Sequence, residues 1–285
     1  MLEGLMIFAG IAIIFCILVS AWDSNRFVTV EYEVVSDKIA DDCRFVLLSD
    51  LHNKSYGQDN RRLIEEIDRI SPDGILAAGD MLTAVKGQPF DHAVSLMEQL
   101  AARYPVYFGM GNHEYRLALY PDQYGDMYDR YMDGLKQAGI EPLINQTTYL
   151  PSYHIAVCGA QIDRRYYKRF RKVPMSREYL PGILGEPRRD ACQILIAHNP
   201  LYFEEYAAWG ADVVVSGHVH GGIMRLPVLG GVLSPNLSLF PKYDGGRFEQ
   251  GRSVMILSRG LGTHTVPLRI FNPGELVVIN LRSNK

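Results

Sequence analysis

Five short apolar runs in this chain each lead into a residue able to bind a cation, and no other feature constrains the fold as strongly. Residues 44–50 (RFVLLSD) run into Asp50-Leu51-His52. Residues 74–80 (GILAAGD) end on Asp80, and residues 105–109 (PVYFG) lead to Gly111-Asn112-His113-Glu114. Residues 193–197 (QILIA) precede His198, and residues 212–216 (DVVVS) precede Gly217-His218-Val219-His220-Gly221-Gly222. Short runs of this kind read as buried strands. Between them lie helical spacings: Leu63, Ile64, Ile67 and Ile70 within residues 60–70, and Ala93, Leu96, Met97 and Leu100 within residues 91–103. Strand and helix alternate, which predicts a layered α/β fold. In such folds sites form at the carboxyl ends of strands, so the five ends can converge.

The rest of the chain is richer in strands. Residues 27–35, 154–159, 253–258 and 275–281 have the composition of strands, and residues 124–138 and 202–208 that of helices. There is no internal repeat and no clean linker, so residues 27–285 read as one domain. Hydrophobic residues make up 47% of the 285, enough for a sizeable core, and the net charge of -3 does not mark a nucleic-acid binder. Cys16, Cys43, Cys158 and Cys192 form no CxxC pair, so buried free thiols are expected rather than a cysteine zinc site or a disulfide framework.

Carboxylate, imidazole and amide oxygen suit zinc, iron or manganese. In Asp50-x-His52 and His218-x-His220 the spacing puts both side chains on one side of an extended segment. A histidine alone is ordinarily structural, and His92, His154 and His264 read that way, with His264 close enough to Gly260 and Gly262 to approach the site. All five pairings in one order are not explained by chance.

In this order the motifs Asp50-x-His52, Gly79-Asp80, Gly111-Asn112-His113-Glu114, His198 and Gly217-His218-x-His220 resemble the calcineurin-like metallophosphoesterase superfamily. The resemblance covers residues 45–222. The tail (LFPKY at 239–243, SRGLG at 258–262, PLRIFNP at 267–273) resembles the membrane-anchored bacterial branch, which includes single-pass phosphodiesterases and UDP-diacylglucosamine pyrophosphatases. The resemblance implies a four-layer α-β-β-α sandwich and two divalent metal ions. Asp50, His52 and His220 would bind the first ion, Asn112, His198 and His218 the second, and Asp80 both. His113 would donate a proton to the leaving group or stabilise its charge, oriented by an acid such as Asp50. Glu114 reads as a surface carboxylate or one that supports a ligand. Thr83 is a departure, standing where the family often has a supporting acid.

Residues 5–22 (LMIFAGIAIIFCILVSAW) carry no charge. As a helix they reach about 27 Å, close to the ~30 Å hydrocarbon core of a bilayer. Residues 1–26 therefore read as a membrane anchor, with Trp22 at the interface. A cleaved signal peptide is the competing reading, but no Lys or Arg precedes the run. Arg26, Lys38 and Arg44 follow it, which favours a cytoplasmic domain, whereas anchored relatives can face outward.

Two segments are candidates for choosing a substrate. Residues 164–172 (RRYYKRFRK) bring Arg164, Arg165, Lys168 and Arg169 together with Tyr166, Tyr167 and Phe170. They read either as a solvated basic helix or as a surface for anionic lipid or a polyanionic substrate, its aromatics at the membrane interface. Residues 223–240 are apolar, and read as core or as a membrane-dipping loop. The expected activity is hydrolysis of a phosphodiester or pyrophosphate bond in a membrane- or envelope-associated, lipid-linked substrate. A tethered nucleotide or general phosphodiesterase is the alternative enzyme, and a non-catalytic binding module the alternative of another class. Nucleic acid is disfavoured, and the sequence indicates no oligomeric state.

Overall fold

The structure is a computed structural model describing residues 2–168, 171–226, 230–233, 239–263 and 267–284. In chain order its first half holds α1 (Leu2–Ser24), β1 (Phe27–Ser36), β2 (Cys43–Leu48), α2 (Arg61–Ile70), β3 (Gly74–Ala77), α3 (Asp91–Ala101), β4 (Val106–Phe108), α4 (Asn112–Leu119), α5 (Pro121–Tyr124) and α6 (Met127–Gln137). The second half adds β5 (Gln146–Leu150), β6 (Ile155–Ala160), α7 (Tyr179–Leu184), β7 (Cys192–Ala197), α8 (Phe203–Trp209) and β8 (Val213–Ser216). It closes with β9 (Met224–Leu226), β10 (Gly230–Leu233), β11 (Gly246–Gln250), β12 (Ser253–Leu257) and β13 (Gly274–Ser283).

One sheet has the order β1-β13-β2-β3-β4 and the other β11-β12-β8-β7-β6-β5. β2, β3 and β4 are parallel neighbours, as are β6, β7, β8 and β12. Alternation along the strands decides the layering, because successive side chains point to opposite faces. Phe45 and Leu47 of β2 meet Ile194, Ile196, Val213 and Val215 of the opposing sheet. Val46 and Leu48 point the other way, into a core shared with Leu63, Leu96 and Leu135 of α2, α3 and α6. Leu195, Val214 and Met255 pack against Leu180, Phe203 and Tyr206 of α7 and α8. The result is the α-β-β-α sandwich that the resemblance implied.

The helical spacings of the sequence do what their period requires. Leu63, Ile64, Ile67 and Ile70 are the buried face of α2, while Arg61–Glu65 and Arg69–Glu66 pair on its outer face. The helix stops at Ser71, whose φ of 50° lies outside the helical region, because Pro72 has no N–H with which to continue it.

α1 is long and apolar enough to cross a membrane, with a mean hydropathy of 2.7. Most of its side chains are exposed, but two in its last turn are not. Ser20 and Asp23 are buried against the domain. The Ser20 hydroxyl accepts the Arg269 N–H at 3.1 Å, and the Asp23 carboxylate accepts the Asn272 N–H at 2.9 Å. No periodicity in the sequence announces this docking.

Candidate metal centre

β2, β3, β7 and β8 end beside one another, and α4 begins at the same place with Asn112. The backbone there is unusual. Asp50, His52, Asp80, His218 and His220 have φ of 51°, 49°, 55°, 75° and 53°. A side-chain-bearing residue in that region costs about 1–3 kcal/mol, so the surroundings must hold it. They do so by bonds between loops: Asp50 N–H to Gly79 O at 3.0 Å, His52 N–H to Asp80 O at 3.1 Å, and Asn53 N–H to Met81 O at 2.9 Å. The approach leaves no room for a Cβ at Gly111, where it would overlap the Asp80 carboxylate, or at Gly217, where it would overlap that of Asp50.

Both carboxylates are almost fully buried, Asp50 at 0% and Asp80 at 2% exposure. The His218 N–H reaches both Asp50 oxygens at 3.0 Å, and the Ser49 hydroxyl donates to Oδ2. The His113 N–H donates to Asp80 Oδ1 at 2.7 Å. His220 Nε2 lies 3.3 Å from Asp50 Oδ1, and His198 Nε2 lies 3.0 Å from Asp80 Oδ2. Asp50, His52 and His220 therefore form one group whose ligand atoms fit around a single ion, and Asp80, His198 and His218 form another. A third grouping joins His52, Asp80 and His113.

Hydrogen bonds separate the histidines into two kinds. His198 Nδ1 is 2.6 Å from Ala78 O, and His220 Nδ1 is 3.3 Å from Gly262 O. A carbonyl only accepts, so Nδ1 carries the proton in both rings and the neutral form presents its Nε2 lone pair to the centre. His52 Nδ1 is 3.2 Å from the Thr83 hydroxyl, which can accept in the same way. Thr83 thus supports His52 although it is not an acid. His113 is reversed. Its Nδ1 accepts the Ala84 N–H at 2.8 Å, so its own proton sits on Nε2, 4.0 Å from Asp80 Oδ2. The orienting group is a backbone N–H, not the acid expected from the sequence.

The buried carboxylates and imidazoles shift one another strongly. Burial raises the Asp50 carboxyl, opposed by the charge on His198. At Asp80 burial acts upward too, but His198 and His113 outweigh it and hold the group well below the carboxylate range. Burial opposes the charge on His198, yet Asp80 and Asp50 lift it to about 10. Burial and the His198 charge push His218 down to about 3, leaving it a neutral ring. Loading a cation must displace the His198 proton. The polar atoms fit such a cation. Asn112 Oδ1 is buried with no hydrogen-bond partner among the described residues, and the Nε2 atoms of His52 and His220 face each other at 3.2 Å.

Residues 43–222, more than half of the chain, match the family of calcineurin-like phosphoesterases. The chain belongs to that family. Among its relatives is an uncharacterized metallophosphoesterase of Campylobacter jejuni, 26% identical over 94% of this chain and 67% of the relative. The phosphodiesterase YaeI of Escherichia coli is 25% identical over 67% of this chain and 64% of its own length. The UDP-2,3-diacylglucosamine pyrophosphatase LpxG of Chlamydia muridarum is 21% identical over 83% of this chain and 82% of its own length.

Tyr167 takes a place in this chain that sequence reasoning missed, and Glu114 takes the second of its two expected roles, supporting a ligand. Glu114 is not on the surface. It is fully buried, and its carboxylate accepts the N–H groups of Asp80, Met81 and Gly111 at 2.9, 2.8 and 3.0 Å. It therefore fixes the turn that carries Asp80. Burial, then the Asp80 charge, push its carboxyl up to about 7, against those N–H bonds. Tyr167 lies with its ring 5.3 Å from that of His218 and 6.4 Å from that of His198. Its position two residues after a charged pair gives no sign of this.

The basic segment is a 3-10 turn over Arg164–Tyr167 rather than a helix. Arg164 stacks on Tyr120 at 4.6 Å, and Arg165 pairs with Asp163 at 3.8 Å and stacks on Tyr166. These two and Lys168 are exposed, while Tyr166 is buried against Tyr179 and Tyr202 instead of lying at an interface. Arg169, Phe170 and His264 lie outside the described residues. Of residues 223–240, the described part includes the antiparallel pair β9 and β10 and the exposed Leu239 and Phe240.

The reversed ring is directly measurable. In zinc-loaded protein, nitrogen-15 spectra of labelled histidines should place the proton on Nδ1 for His198 and His220 and on Nε2 for His113. A proton on Nδ1 of His113, or a spectrum unchanged in His113→Ala, would contradict this arrangement.

Proposed function

We propose that this chain is a dinuclear-metal phosphoesterase that hydrolyses a phosphodiester or pyrophosphate bond of a membrane-associated substrate. One observation carries the reading. Two buried carboxylates and a ring of imidazole Nε2 atoms point at a common space, with the buried Asn112 oxygen left over for a cation. Asp50, His52 and His220 would hold one ion, Asn112, His198 and His218 the other, and Asp80 both. Manganese, iron and zinc all suit this donor set. Such ions supply Lewis acidity toward the phosphoryl group and acidify the attacking water.

The protein's own groups do the rest. Glu114 holds the Asp80 turn in a left-handed conformation that it would otherwise leave. Ala78, Gly262 and Thr83 hold the rings of His198, His220 and His52, and the two carbonyls set the tautomers of His198 and His220. His113 presents an Nε2 proton toward the same space, where it can hydrogen-bond to the leaving oxygen as charge grows there. Because its Nδ1 is occupied as an acceptor, the neutral ring is the acting form.

The membrane part of the proposal rests on α1, and it is supported by the relative whose name specifies a diacylated sugar nucleotide. The phosphodiesterase relative supports the diester chemistry.

Two substitutions test the assignment. Asp80→Ala should abolish hydrolysis of bis(4-nitrophenyl) phosphate and remove most bound metal, measured by metal analysis beside the rate. Full activity in chelated protein would refute the two-ion reading. His113→Ala should keep the metal and slow hydrolysis by roughly 10²–10⁴-fold, with a smaller loss on substrates that have good leaving groups. Equal losses on good and poor leaving groups would remove His113 from the leaving-oxygen role.

A further inference from the structure

Residues 267–271 pack beside α1 while Ile270 stays bridged to Met224 of β9. Leu268 and Ile270 form one wall of a groove whose other wall is Ala12, Ile13, Cys16 and Ile17 of α1. The groove encloses about 300 Å³ and has no polar lining. Phe271 meets Phe15 with ring centroids 6.3 Å apart, and Leu268 and Phe271 are 40% and 46% exposed.

The helix sets the depth of this groove. Asp23 and Asn25 mark its polar end, and both bond to the domain. Cys16 is seven residues earlier, about 10 Å along the axis. If α1 spans the bilayer, as proposed above, that level lies within the hydrocarbon. Leu268 and Phe271 would then face lipid, and only hydrocarbon can fill an apolar groove at that depth.

The same segment reaches the metal centre. Arg269 is buried between the two, its N–H on Ser20 and its guanidinium donating to the carbonyls of Arg259, Gly260 and Gly262. Gly262 O also receives His220 Nδ1. Asn272 Nδ2 donates to the carbonyls of His220 and Gly222 at 2.8 and 2.7 Å. Lys54, two residues from His52, donates to Asn25 Oδ1 at 2.9 Å. Two loops of the metal centre are therefore bonded to the helix end or to the segment beside it.

We infer that this groove seats a hydrocarbon chain of a membrane lipid, so that the phosphoester of an anchored amphiphile is held at the level of the metal centre. The inference deepens the membrane reading above and depends on α1 being embedded. It assigns the groove to one acyl chain rather than to the helix of a second copy, because about 300 Å³ suits a single chain and is too small for a helix about 10 Å across.

The test uses the full chain in phosphatidylcholine vesicles containing a phosphatidylcholine with a photoactivatable diazirine on its acyl chain. Adducts mapped by mass spectrometry should fall on residues 267–271 and on Ala12 and Cys16. Ala12→Phe, which fills the groove and stays apolar, should cut the adducts on 267–271 at least fivefold. It should also slow hydrolysis of a long-chain phosphodiester in the vesicles about tenfold, while the rate on bis(4-nitrophenyl) phosphate stays the same. Adducts around α1 with none on 267–271, or adducts joining two copies of the chain there, would overturn the proposal. So would equal losses on both substrates. Absence of any phosphoesterase activity would refute the proposed function instead, and the adduct map would still decide the groove.

Discussion

Two carboxylates buried side by side set the terms for the rest of this molecule. Asp50 and Asp80 close adjacent strands of one sheet and have almost no contact with water. Uncompensated negative charge in such surroundings costs several kcal/mol per group. The surrounding polar groups offset that cost: backbone N–H groups of His218 and His113, the Ser49 hydroxyl, and a His198 ring raised to about 10. The strained backbone at five residues belongs to the same arrangement, since it turns each side chain inward at the end of its strand.

The second ordering principle is which nitrogen of each ring is engaged from behind. Carbonyls behind His198 and His220 leave Nε2 as the lone pair facing the centre, whereas an N–H behind His113 leaves Nε2 as a donor. A donor is of no use to a cation but suits a leaving oxygen. One geometry thus divides neighbouring imidazoles into two that present a lone pair and one that presents a proton, without any difference in residue type.

Much of this was legible in the sequence because it depends on local pattern. Apolar runs of four to six residues had to be buried strands, and a polar residue at the end of each had to emerge where strands end. Residues 44–50 and 212–216 show this most plainly, becoming β2 and β8 with Asp50 and His218 just beyond. The edge strands β5 and β11 were not legible, since QTTYL and GRFEQ lack an apolar run and are strands only through their antiparallel partners. Tyr167 was misjudged, and the choice between two readings of Glu114 stayed open, for a related reason. Their roles come from backbone N–H groups and rings brought in from other elements, which no spacing within the chain encodes. The last turn of α1 is similar: Ser20 and Asp23 look like the polar flank of an apolar helix, and only the fold shows that they hold Arg269 and Asn272.

These features describe a chain in which a long apolar helix, a buried arginine and a paired-carboxylate centre form one continuous hydrogen-bonded structure. The proposed centre holds two cations, with Asp80 bound to both. The most direct measurement is anomalous diffraction from crystals grown with manganese. Two peaks about 3.5–4 Å apart are expected, both touching Asp80, with His113 bound to neither. A single peak, or a peak ligated by His113 in place of Asn112, would contradict it.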